Sequence, residues 1–88
     1  MEDKMKKLLP IGTVVRVFGD PKRVMIFGRL QKDKNEVFYD YAGCLFPEGG
    51  ISNRLTFLFN NKDIDEICHM GFVNEEEEKY QKVLEEYR

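Results

Sequence analysis

"YDYAGCLFPEGG", residues 39–50, places three aromatics, a cysteine, a proline and three glycines within twelve positions. Either Asp40, Cys44 and Glu48 form a reaction centre, or the stretch is the corner of a small sheet. Tyr39 and Tyr41 alternate with Asp40, as one face of a half-buried strand alternates with the other. Gly43 permits a bend or a close backbone approach, and Cys44 lies between Gly43 and Leu45 as a small hydrophobe. "PEGG" carries the glycines of a turn. The corner reading accounts for every residue. The reaction-centre reading leaves the aromatics and glycines unexplained.

Working outward, the flanking segments supply the rest of a sheet. "TVVRVF" (13–18) is β-branched and is punctuated by Pro10 and Gly12. "GDPKR" (19–23) is a turn, with Pro21 presetting φ. "RVMIFGRLQ" (23–31) carries apolar groups on both faces, the mark of a central strand, and Gly28 predicts a bulge. "KDKNE" (32–36) turns the chain into the quoted strand. "RLTFLF" (54–59) gives a further strand with Leu55, Phe57 and Phe59 on one side. Short strands joined by turns favour an antiparallel meander.

Helix signals follow. In "KDIDEICHM" the apolar Ile64, Ile67 and Cys68 fall at helical spacing. Asn60 or Asn61 is placed to cap the start and Gly71 to close the end. Asn74 is the expected N-cap of a last helix, with Glu77 as its capping-box partner and "EEEE" (75–78) at the positive end of the dipole. Tyr80, Val83, Leu84 and Tyr87 recur as one apolar stripe. Packing on its own sheet is the plainest use of that stripe, and partner binding is the other.

The predicted fold is therefore α+β. A strongly bent antiparallel sheet of four or five strands, an SH3-like partial barrel, is followed by a short helix and a C-terminal amphipathic helix. The chain reads as one domain over 1–88, with sheet and short helix in 8–73 and the last helix in 74–88.

Composition narrows function. At 88 residues, 42% hydrophobic and 12% aromatic, the chain has enough for one compact core and no room for a separate catalytic domain. The apolar runs are far short of the ~20 residues needed to span a bilayer. The first residues have no apolar run of signal-peptide length, so the expected compartment is the cytoplasm. Cys44 and Cys68 fit that setting as thiols, although two cysteines also permit one disulfide. Residues 1–34 hold nine Lys or Arg against four Asp or Glu, and residues 35–88 hold five against twelve, so charges of +5 and −7 make the net −2.

No chemistry-bearing constellation stands out. Cys44, Cys68 and His69 are three soft ligands, where structural zinc wants four in close-spaced pairs. Cys44 with His69 lacks any local activation signal, and a thiol in an apolar run resists ionisation. The paired carboxylates Asp40 and Glu48 read as solvated positions around a corner. No catalytic, cofactor-binding or metal-binding residue is expected, and no cofactor. Arg16, Arg23 and Arg29 on neighbouring strands are the candidate nucleic-acid stripe, for single strands held on a small barrel. The acidic C-terminal half weakens that alternative. A protein partner fits better, because a small sheet with so many aromatics leaves some exposed. The candidate partner-binding residues are Phe38, Tyr39, Tyr41, Phe46, Tyr80 and Tyr87. An exposed edge strand or the Tyr80–Tyr87 stripe also allows a homodimer.

The order "LLPIGTVV", "RVMIFGRLQ", "YDYAGCLFPEGG", "FNNKDIDEICHMGFVNEEEEKY" resembles a small bacterial family, domain-of-unknown-function family 4176, across roughly residues 8–80. Phe46 stands where tyrosine is expected before "PEG", a conservative departure. The resemblance implies an accessory protein encoded beside type VII secretion loci of Gram-positive bacteria, near toxins with an LXG domain. Its implied role is a non-enzymatic cytoplasmic adaptor or chaperone that binds the toxin before export, with immunity toward the toxin as an alternative. The family brings no catalytic residues to transfer.

Overall fold

A computed structural model describes residues 7–88 of the chain. Five strands run in the order β1 (Val14–Val17), β2 (Arg23–Lys32), β3 (Phe38–Leu45), β4 (Phe57–Phe59) and β5 (Ile64–His69), followed by one helix, α1 (Glu75–Glu86). The strands form a single antiparallel sheet in the order β4-β3-β2-β1-β5. The α+β class and the central place of β2 agree with the sequence. The sheet is bent but not closed, with β4 and β5 as its two edges.

One face makes the core. Val15 and Val17, Val24 and Ile26, Tyr41 and Phe59 alternate inward and meet Leu8 and Leu84. Tyr41 stacks on Phe59 with ring centroids 5.5 Å apart. On the opposite face Val14, Ala42 and Cys44 are small enough to be buried by their neighbours in the bent sheet. The bend comes where Gly28 predicted it, at a register shift between Ile26 and Gly28 in the β2–β3 ladder. Gly43 is a close-approach glycine, because a Cβ there would stand 2.5 Å from Val24 Cγ1. Gly49 takes φ +80° in the turn after β3, as a glycine can.

The segment expected to be a short helix is the main correction. Asn61–Asp63 make a single 3-10 turn, and Ile64–His69 continue as strand β5 on β1. The physical reason lies in the ladder. Val17 faces Ile64 and Val15 faces Ile67, so two steps on β1 match three on β5. The extra residue of a bulge thus gives a strand the three-residue apolar spacing of a helix. Gly71 is not a helix cap. A Cβ there would lie 2.1 Å from the Ile11 carbonyl oxygen, so glycine is what lets the two backbones pass. Similarly, Asn53–Leu55 form a 3-10 turn, which shortens the last expected strand to Phe57–Phe59.

Candidate functional site

Helix α1 begins as expected, with the Glu77 N–H donating to Asn74 Oδ1 at 3.0 Å. The Glu77 carboxylate does not turn back to complete a capping box. It reaches across to β2 and takes both Arg29 terminal nitrogens, at 2.5 and 3.0 Å. Arg29 and Glu77 side chains are only 5% and 13% exposed. Gln81 Nε2 donates to Glu77 Oε2 at 2.8 Å and to the Leu8 carbonyl at 2.6 Å. Hydrogen bonding from Arg29 holds the Glu77 carboxyl below the usual glutamate range, against the opposing effect of burial. Glu77, Gln81 and Leu84, one helical turn apart, are thus the side of α1 that meets the sheet.

The consequence is a displaced stripe. Tyr80, Val83 and Tyr87 were expected to bury with Leu84, yet only Leu84 does so. Tyr80 is 50% exposed and Tyr87 77% exposed. Tyr80 covers the Arg29 guanidinium at 5.4 Å from ring centroid to Cζ. An open depression beside it is bounded by Arg29, Phe72, Asn74, Glu76 and Tyr80. At the far end of α1, Phe38, Tyr39 and Tyr87 line a depression of about 440 Å³, with Asp40, Lys62 and Arg88 among its polar walls.

The expected partner residues divide accordingly. Phe38, Tyr39 and Tyr87 come together, and Tyr80 lies one to two turns earlier on the same helix. Phe46 is exposed but stands apart, beyond the other end of β3. Tyr41 is a correction: it is 0% exposed and belongs to the core. Its hydroxyl accepts from the Leu9 N–H at 2.9 Å and donates to Asn61 Oδ1. Burial pushes its pKa up to about 12. Asp40 is not a solvated acid either, since its carboxylate accepts from the Asn61 N–H and pairs with Arg88.

The structure divides the arginine stripe: Arg16 and Arg23 are cross-strand partners on β1 and β2, with Arg16 paired to Glu66, while Arg29 is buried against Glu77. Only Arg23 of the three is exposed and outside these pairs. Phosphate binding through this set would have to break a buried ion pair first. Cys44 and His69 do not meet. They occupy one row of the sheet, Cys44–Met25–Val14–His69, three strand spacings or roughly 14 Å apart. Glu48 pairs with Lys22 at 2.9 Å, at the opposite end of β3 from Asp40. Among the described residues no group of three His, Cys, Asp or Glu converges to hold a metal ion. No helix among them is long and apolar enough to cross a membrane.

The family model for a domain of unknown function, DUF4176, matches residues 8–80. The chain belongs to the DUF4176 family. No curated protein and no solved structure matches it. In this DUF4176 chain the matched span covers the whole sheet and the first half of α1, including Arg29, Glu77 and Tyr80. Tyr87 lies beyond it.

Residues that the sequence reading passed over add to the exposed surface. Ile67, Met70, Phe72 and Val73 are all exposed, Phe72 at 79%. Reading 62–70 as a helix hid them, because a helix ending at Gly71 would have turned Ile67 inward. Phe72 and Val73, two large apolar residues between a glycine and an N-cap, were the available signal.

Proposed function

We propose that this chain is a non-enzymatic protein-binding adaptor or chaperone-like accessory protein. The partner we assign is a type VII secreted LXG toxin, bound in the cytoplasm before export. One observation carries the binding part: the exposed row Tyr80, Val83 and Tyr87 on α1, extended by Phe72 at one end and Phe38 at the other. Contiguous exposed aromatics bordered by polar groups have the composition of an interface centre. The toxin as partner, and the adaptor role, rest on the family's resemblance to accessory proteins of LXG loci.

Co-expression of the full chain with the LXG toxin encoded beside it, followed by pull-down, tests the proposal. The expected result is a complex that survives in the wild type and is lost in Tyr80→Ala/Tyr87→Ala. Failure to form a complex with any locally encoded LXG protein sinks the adaptor role. A toxicity assay on the same pair separates chaperoning from immunity, because only an immunity protein neutralises the toxin.

A further inference from the structure

We propose that the outer edge of β5 accepts an extended, lysine- or arginine-rich segment of a partner protein as an added sheet strand. This inference rests on the protein-binding reading and names a second element of the interface with the chemistry it selects.

β5 ends the sheet, and among the described residues no strand pairs with its outer side. It offers six residues, about 20 Å of backbone. The opposite edge, β4, offers three. An exposed edge is a template for another strand unless it is shortened, charged with lysine or covered. β5 carries no lysine. Its Ile67, 47% exposed, presents an apolar side chain at the edge. An open groove of about 460 Å³ runs alongside, with Leu9, Ile64 and Ile67 as its apolar lining and Lys7, Asp65 and Glu66 as its charged lining. Main-chain pairing supplies affinity in such strand addition, and the groove sorts the incoming side chains.

Charge decides the occupant. From Asp63 through His69 the edge carries three carboxylates, Asp63, Asp65 and Glu66, and no Lys or Arg. Glu66 pairs with Arg16, and among the described residues no ion pair holds Asp63 or Asp65. An incoming basic strand gains from this surface, and an acidic one is repelled. The same reasoning disfavours a second copy. Pairing β5 with β5 antiparallel brings Asp65 and Glu66 of both chains opposite or diagonal to one another, a destabilising like-charge arrangement.

The test uses the full chain labelled with ¹⁵N and three capped heptapeptides. One alternates Lys and Val, one alternates Glu and Val, and one is the Lys/Val peptide with alternate backbone amides N-methylated. The Lys/Val peptide is expected to shift the amide resonances of residues 64–69. The Glu/Val and N-methylated peptides should bind roughly tenfold more weakly or not at all. Ile67→Lys should weaken the Lys/Val peptide by a similar factor, and Ile67→Thr, which keeps a β-branched residue, should weaken it less. Equal binding of the Glu/Val or N-methylated peptide overturns the proposal, as does absence of binding at millimolar Lys/Val peptide. Shifts confined to α1 overturn it too, as does a concentration-dependent dimer abolished by Ile67→Lys. The toxin pull-down distinguishes the two readings. If toxin is captured but no peptide binds, only the edge proposal fails. If the Lys/Val peptide binds β5 and no LXG toxin is captured, the adaptor role fails and the edge stands.

Discussion

The inner and outer sides of helix α1 invert the usual arrangement of an amphipathic helix. On the side of α1 turned to the sheet, Glu77 and Gln81 are polar, and Leu84 is the single large apolar residue buried there. The outer row, Tyr80, Val83 and Tyr87, is apolar and exposed. Packing by an apolar stripe needs no partner geometry, whereas the Arg29–Glu77–Gln81 arrangement works only at one registration of helix on sheet. Holding the helix by polar contacts fixes its rotation and leaves its greasiest row outside. Such an arrangement suits a surface that has something to bind.

Substitutions on the two sides sharpen or break this contrast. The largest effect is expected at the anchor: Leu84→Ala should cost about 3 kcal/mol in urea unfolding, from lost burial and the cavity left behind. Glu77→Gln should come next, at roughly 2–3 kcal/mol, because it leaves the buried Arg29 guanidinium without its counter-charge. If Glu77→Gln proves neutral, the polar side is incidental and the contrast fails.

A pH series isolates the same contact. The folded state holds Glu77 ionised below its ordinary range, so its contribution is complete above that range and is lost as pH falls through the lowered folded value. Wild type and Glu77→Gln should therefore differ in stability at pH 7 and converge as the solution is acidified below the ordinary glutamate range. A gap that stays constant with pH would show that ionisation of Glu77 is not what holds the helix.

The smallest stability effect belongs to the outer row. Tyr87→Ala should change unfolding free energy by no more than about 0.5 kcal/mol, as surface substitutions do. The same change should weaken toxin capture measurably, since aromatic truncations at interface centres cost about 2 kcal/mol or more. A destabilised Tyr87→Ala with unchanged capture would reassign this row to the fold.

Much of the sheet was legible in the chain. Val15, Val24 and Ile26 lie on strands that local alternation marks, Gly28 sits at the bulge it predicted, and Asn74 caps the helix it was expected to cap. The quoted stretch 39–50 did prove to be a strand and a turn. Its Tyr41 is a core residue, because the pleat turned it toward Phe59 and the Leu9 backbone supplied its hydroxyl with a donor.

The sequence alone determined the α+β class, four of the five strands and the position of the last helix. These follow from periods of two and three to four residues and from turn and cap chemistry, all of which act between near neighbours. Tertiary structure decided the rest. β5 reads as helix until its bulged pairing with β1 is seen, because the bulge changes the period itself. Arg29 reads as a free cation until Glu77 arrives from 48 residues away. Which side of α1 faces water was settled by that same ion pair, a contact between distant residues that no local pattern encodes.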